Sequence, residues 1–301
     1  MQFVQQLING LTIGAFYALV ALGYTMVYGV LKLINFAHGD MFMWGAYLGL
    51  TGLNVAVALL SGGSALMLIP VIILVMVTMA LVGVLVERVA YRPLRSAGRL
   101  APAISALGVA FILQSLARNV YGASWKTYPN VLALGGRINL GGGASVAVMQ
   151  IVVLAVSFAL MGALYLFVQR TRIGTAMRAV SLDHDVSRLM GIDVNRIIAI
   201  VFLIGPGLGG IAGVIVGVYY GSFDFTLGWV FGLKAFIAAI LGGIGNIPGA
   251  MLGGMILGII ETLGAGYLSP QWKDVLAYLI LIFILIVRPT GLLGERVAEK
   301  L

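Results

Sequence analysis

The chain is predicted to fold as an all-α polytopic membrane protein with eight to ten transmembrane helices, some of them broken, and an internal repeat. Three observations carry that expectation. Of the 301 residues, 61% are hydrophobic and only 9% charged, where a soluble domain carries roughly 25% charged. Apolar runs recur over the whole length at about the 20 residues a bilayer crossing needs. The 42 glycines and 8 prolines follow no collagen-like period and fit closely packed, interrupted spans. Residues 1–301 therefore read as a single transmembrane domain. The net charge of +8 is accounted for by its distribution around the spans, not by nucleic-acid binding. The absence of cysteine excludes thiol catalysis, disulfides and thiolate metal sites.

In chain order the runs fall at 8–31, 41–60, 65–86, 101–119, 146–168, 197–220, 231–245, 249–267 and 273–287. Those at 101–119, 231–245 and 273–287 are short for a crossing. The first has no basic leader and no small-residue cleavage site, so it is expected to be retained. Residues 87–99 carry Arg88, Arg92, Arg95 and Arg99, residues 169–196 carry five arginines, and 288–301 carry Arg288, Arg296 and Lys300. Twelve of the 18 basic residues thus sit in three segments separated by even numbers of runs. The positive-inside rule makes these segments and the C-terminus cytoplasmic. The Gly-rich loop 120–145 then faces outward, with Trp125 and Tyr128 placed as interfacial anchors.

The interval 169–196 is the longest polar stretch, and it contains a short helix with both ends marked. Asp183 is placed to cap it, Asp185 sits in the first turn and Arg188 toward the last. Gly191 closes it in a left-handed conformation. Val186, Leu189 and Met190 fall at i, i+3 and i+4, so an apolar face projects from a charged base. Such a helix between two spans is expected to dock onto a partner.

Within the apolar body, Gly205, Gly209, Gly213, Gly217 and Gly221 repeat at i+4 and predict tight helix packing. Two polar interruptions stand out. One carries Asn35, His38 and Asp40; the other carries Asn246 beside Gly245 and Pro248. Paired interruptions point to an internal repeat and a midplane pathway. Lys234 and Glu261 join Asp40 as ionisable groups in apolar surroundings, read either as pathway residues or as structural ion pairs. His38 by itself reads as a structural histidine. His184 is the only other histidine, so no metal site is expected. There is no Gly-x-x-x-x-Gly-Lys-Ser/Thr phosphate loop and no Ser/His/Asp arrangement beyond residues 181–185, which the capped helix explains. Nothing reads as an enzyme. An ABC permease, an ion-coupled secondary transporter using Asp40, Lys234 and Glu261, and a passive channel all fit the composition.

The blocks GYTMVYGVLKLINFAHGDMFMWGAYLG, VLVERVAYRPLRSAGRLAPAISALG, RTRIGTAMRA, LMGIDVNRIIAIVF, FGLKAFIAAILGGIGNIPGAMLGG and YLILIFILIVRPTGLLG together resemble the LivH-type permease subunit of branched-chain amino-acid ABC importers, over essentially the whole chain. The resemblance implies a type II ABC importer-like fold in the bacterial inner membrane. It further implies a LivM-like second permease, two LivG- and LivF-like ATPases holding ATP and Mg, and a periplasmic binding protein. Leucine, isoleucine and valine are the implied substrates, with urea and short amides served by similar permeases. Within 169–196, residues 176–192 match the coupling helix that seats on the ATPase. Arg178, Asp183, Asp185, Val186, Arg188, Leu189, Met190 and Gly191 are the implied contacts, Gly191 standing at the signature glycine. The Glu-Ala-Ala importer signature is absent as such, Ser181-Leu182-Asp183 being the nearest stretch.

Overall fold

The computed structural model describes residues 2–60, 65–95, 97–98, 100–129, 136–141 and 144–294. Arg99, Arg296 and Lys300 of the basic segments lie outside the described residues. Each of the nine apolar runs forms a helix. These are α1 (Gln2–Leu31), α2 (His38–Leu60), α3 (Leu68–Val86), α4 (Leu100–Tyr121), α5 (Val148–Arg170), α8 (Val194–Tyr220), α9 (Leu227–Gly242), α10 (Ile247–Tyr267) and α11 (Trp272–Val287). Two short helices, α6 (Arg172–Leu182) and α7 (His184–Leu189), stand between α5 and α8. Seven of the nine long helices are long and apolar enough to cross a membrane, whereas α9 and α11 have 16 residues each.

The elements sort to two ends. His184 meets the Val30 carbonyl, Arg95 meets Asn195, and Gly29 lies against Gly245. The close of α1 and of α3, the start of α8 and the α9–α10 turn therefore share one end with α7. Arg88, Arg92, Arg95 and Arg288 gather there, so it is called the basic end. At the far end, β1 (Lys126–Thr127) pairs antiparallel with β4 (Ser222–Phe223), joining the loop after α4 to the close of α8. The Gly-rich loop also contains a hairpin, β2 (Arg137–Gly141) with β3 (Ala144–Ala147), in which Arg137 pairs with Ala147. The sequence had offered no strand signal there.

Helices α1, α8 and α10 form the interior. Their backbones touch because small residues recur at i+4, the packing device where lipid removes any hydrophobic drive for association. A Cβ on Gly14 would stand 2.8 Å from the Met255 Cα, and one on Gly45 would stand 2.6 Å from the Gly210 Cα. Along the glycine ladder, Gly205 faces Gly23, Gly209 faces His38, Gly213 meets the Phe42 carbonyl and Gly217 underlies the Tyr128 ring. Gly221 departs from the expectation: it is the α8 C-cap at φ +71° and meets nothing within 4 Å. Tyr128 is likewise no interfacial anchor. It is buried, and its hydroxyl donates to the Ala46 carbonyl at 2.5 Å, tying the far-end loop to α2. Pro206 inside α8 removes the N–H that would bond the Phe202 carbonyl, and Gly83 of α3 nests against that carbonyl. Helices α3, α4 and α11 turn large apolar side chains outward, among them Ile73, Leu81, Ile112 and Phe283. Apolar outward faces of this kind suit a hydrocarbon surrounding.

The expected breaks fall between helices rather than within them. Lys32 at φ +54° turns the chain out of α1, and residues 33–37 run without regular structure into α2. Gly243 (φ +105°) and Gly245 (φ +99°) form the α9–α10 turn. A terminal strap closes that turn: Leu292 and Leu293 N–H donate to the Leu241 and Gly242 carbonyls, each at 2.9 Å.

Candidate functional site

At the basic end, Thr171 caps α6 by accepting the Gly174 N–H at 3.0 Å, and Met177 and Val180 bury its inner face. Asp183 ends α6 and caps α7, its Oδ1 accepting from Asp185 N at 2.9 Å and Val186 N at 3.0 Å. Gly191 follows at φ +82°. Asp185 pairs only with Arg188, at 3.1 Å, on the exposed surface. Ser187 is buried beneath the helix. His184 Nε2 donates to the Val30 carbonyl at 2.9 Å, the last turn of α1 supplying a carbonyl that no helical N–H satisfies. Outward stand Leu189, 86% exposed, Met190 at 77% and Val186 at 54%, continuous with the exposed Leu182 at the close of α6. Asp193 caps α8 in turn, accepting from Arg196 N at 3.1 Å. An apolar knob is thus held between α1 and α8 by polar contacts on its inner side.

Arg178 also has partners within the chain. Its Nη1 donates to the Val168 carbonyl at 2.7 Å and to Gln169 Oε1 at 2.8 Å, satisfying the end of α5 and fixing α6 beneath it. His184 was not singled out from sequence; no spacing signal marks a side chain whose partner is a carbonyl 154 residues away. Near this end the buried Glu87 pairs with Arg95, which also donates to Asn195 Oδ1 at 2.9 Å and so joins α3 to α8. Burial holds the Arg95 guanidinium below its ordinary pKa, and Glu87 pulls the other way.

Inside the bundle the structure brings Lys234 and Glu261 together but turns them onto each other. Lys234 Nζ lies 3.0 Å from Glu261 Oε1 and 2.7 Å from Asp274 Oδ1. The Tyr17 hydroxyl donates to Glu261 Oε2 at 2.8 Å, and Lys273 stands 3.8 Å from the same oxygen. Two ammonium groups and two carboxylates from α9, α10 and α11 neutralise one another, with α1 attached through Tyr17. A charge in a span is tolerated when it is paired in this way. Asn246 caps α10: its Oδ1 accepts from Gly249 N and its Nδ2 donates to the Leu293 carbonyl, both at 2.9 Å. Both amide atoms are engaged in the turn and the strap.

The first interruption is less closed. Asn35 Oδ1 accepts from Ala37 N at 3.1 Å and from the Tyr91 hydroxyl at 3.0 Å. The His38 ring fills the notch left by Gly23 and stands edge-on to Tyr24 at 5.0 Å, fully buried. Neither of its nitrogens, nor Asp40 Oδ1, has a hydrogen-bond partner among the described residues. Thr25 Oγ1, Asn35 Nδ2 and Tyr47 Oη are buried without a partner as well; since buried polar atoms are partnered in the great majority of cases, His38 and Asp40 belong to a wider set of open polar atoms in the interior. Among the described residues no group of three or more His, Asp or Glu could hold a metal ion.

Residues 6–285 match the family model described as the branched-chain amino acid transport system / permease component. The chain is 42% identical to the high-affinity branched-chain amino acid transport system permease protein BraD of Pseudomonas aeruginosa, over 99% of this chain and 98% of that one. It is 41% identical to the corresponding LivH proteins of Salmonella typhimurium and Escherichia coli K12, over 100% of this chain and 98% of each of them. No solved structure matches. With a bundle of apolar helices, a capped knob at one end and a match running from end to end, the chain belongs to the family of permease components of branched-chain amino-acid transport systems.

Proposed function

We propose that the chain lines half of the translocation path of a bacterial inner-membrane ABC importer for leucine, isoleucine and valine. In this reading a LivM-like permease supplies the other half and a periplasmic binding protein delivers the solute to the far end. LivG- and LivF-like subunits carry ATP and Mg and seat on the basic end, which faces the cytoplasm together with the C-terminus. The chain itself catalyses no reaction. The observation that carries the proposal is the exposed Val186, Leu189 and Met190 face on a helix capped by Asp183 and tied to α1 through His184. A knob of that kind has no use in a secondary transporter or a channel and matches a helix that receives force from a partner. His38 and Asp40, with their unpartnered atoms, are the pathway residues this reading favours.

The test is replacement of Leu189 and Met190 together by Asp in the assembled importer. Burying two carboxylates in an apolar groove without partners is costly. The expected outcome is loss of the ATPase subunits on purification, or hydrolysis that no longer drives leucine uptake. Wild-type assembly together with wild-type uptake would overturn the proposal.

A further inference from the structure

At the far end a cavity of about 450 Å³ opens between the start of α1, the β2–β3 hairpin, the start of α5 and the close of α8. Gln5, Asn9, Arg137, Gln150 and Tyr219 line it. The orientation of each amide there follows from backbone donors, which admit no ambiguity. The Ser145 N–H donates to Gln5 at 2.9 Å and the Ala147 N–H donates to Gln150 at 3.0 Å, so both side chains present Oε1 to the hairpin. Their Nε2 groups must then point the other way, and both reach Asn9, at 3.2 Å from Gln5 and 2.9 Å from Gln150. Only an oxygen can receive two donors, which fixes Asn9 Oδ1 on that side.

The consequence is that Asn9 Oδ1 carries two donors and each Gln Oε1 one, which leaves amide N–H groups facing the cavity. While the Tyr219 hydroxyl lies within hydrogen-bond reach of Gln150, Asn9 Nδ2 makes no hydrogen bond to the described residues. Arg137 adds a guanidinium with no ion-pair partner among them. The Val148 N–H donates to the Gly136 carbonyl at 3.0 Å, pinning the Arg137 backbone over the start of α5. A cavity lined by an arginine guanidinium and an unengaged amide N–H, with no carboxylate among its described lining residues, fits an anion with planar oxygens. We propose that this cavity is a carboxylate site that receives the α-carboxylate of the amino-acid cargo as it enters from the far end. The inference rests on the proposed function for the identity of the cargo.

Asn9→Asp is the discriminating change. It keeps an oxygen for Gln5 and Gln150 but replaces the free donor by a second, charged acceptor, so the network survives while the site repels a carboxylate. Binding is measured on the full chain in nanodiscs, with L-leucine against leucinamide, which differs only in lacking the carboxylate. Leucine is expected to bind at least about tenfold more tightly than leucinamide. Asn9→Asp and Arg137→Ala should each erase that preference, and Arg137→Lys should restore part of it. Equal binding of the two ligands, or a preference unchanged by Asn9→Asp, would overturn the inference. An acidic side chain of the binding protein could supply the same chemistry. In that case Asn9→Asp would raise the concentration of binding protein needed for half-maximal uptake while the chain shows no leucine preference, and the cargo assignment falls. ATP-driven leucine uptake by the wild-type importer tests the proposed function separately, since no cavity variant enters that measurement.

Discussion

Replacing Lys234 by Met isolates what the intramembrane charges do. Glu261 is 0% exposed, and its nearest cation is Lys234 at 3.0 Å. Met keeps most of the side-chain volume, so the packing change is small. What remains around the carboxylate is the Tyr17 hydroxyl at 2.8 Å and Lys273 at 3.8 Å, one hydrogen bond and one distant charge. Removing one partner of a buried pair costs about 3–5 kcal/mol, because the other charge stays desolvated and uncompensated. With an unfolding entropy near 2.1 cal/mol/K per residue over 301 residues, about 3 kcal/mol corresponds to a fall in Tm of about 5 °C. Adding Glu261→Gln should recover most of that loss, since a neutral amide still accepts from Tyr17 and leaves no buried charge. Asp274→Asn should do little, its side chain being 68% exposed and its attraction screened by solvent. The assay is thermal unfolding of the purified chain followed by tryptophan fluorescence. If Lys234→Met melts with the wild type, or the double variant melts no higher than the single, the cluster is not a structural lock and a pathway role returns.

Three further outcomes follow from the same geometry. Asp183→Ala removes the acceptor for two N–H groups of α7 and should cost about 1 kcal/mol locally; limited proteolysis at 183–191 should accelerate while the global Tm stays within error. Gly45→Leu drives a side chain into the Gly210 backbone and should yield no folded protein on size-exclusion chromatography. Gly162→Ala meets nothing within 4 Å and should hold or gain stability, up to about 1 kcal/mol from helix propensity.

Much of this was legible in the sequence because the solvent writes it there. A bilayer demands long apolar helices, and all nine runs became helices, with ends within four residues of the hydropathy boundaries except at the start of α1, which begins six residues earlier. Caps are equally local: Asp183 and Gly191 act within four residues of themselves, so their roles could be read from spacing. The glycine ladder announced close packing but not its partners, because i+4 spacing defines a face and says nothing about which helix meets it. Side chains whose partners are distant in sequence were misjudged or missed. Asn246 reads as a polar residue in an apolar stretch until the strap at Leu293 appears beside it, and His184 shows nothing until the Val30 carbonyl comes against it. The β2–β3 hairpin was hidden because its glycines and isolated polar residues show no period-2 alternation.

The contacts of α7 also bear on how a push at the basic end would reach the interior. His184 grips the last turn of α1, Asp193 caps α8, and α6 is fastened under α5 by Arg178. Helices α1 and α8 are the two that close around His38, through Gly23 on one side and Gly209 on the other. There the His38 ring is held between the two glycines, edge-on to Tyr24, with little room to change rotamer. A shift of α7 would therefore pass to the notch at His38 as a rigid-body motion rather than being lost in rotamer changes. The Lys234–Glu261 lock holds α9, α10 and α11 together on the other flank.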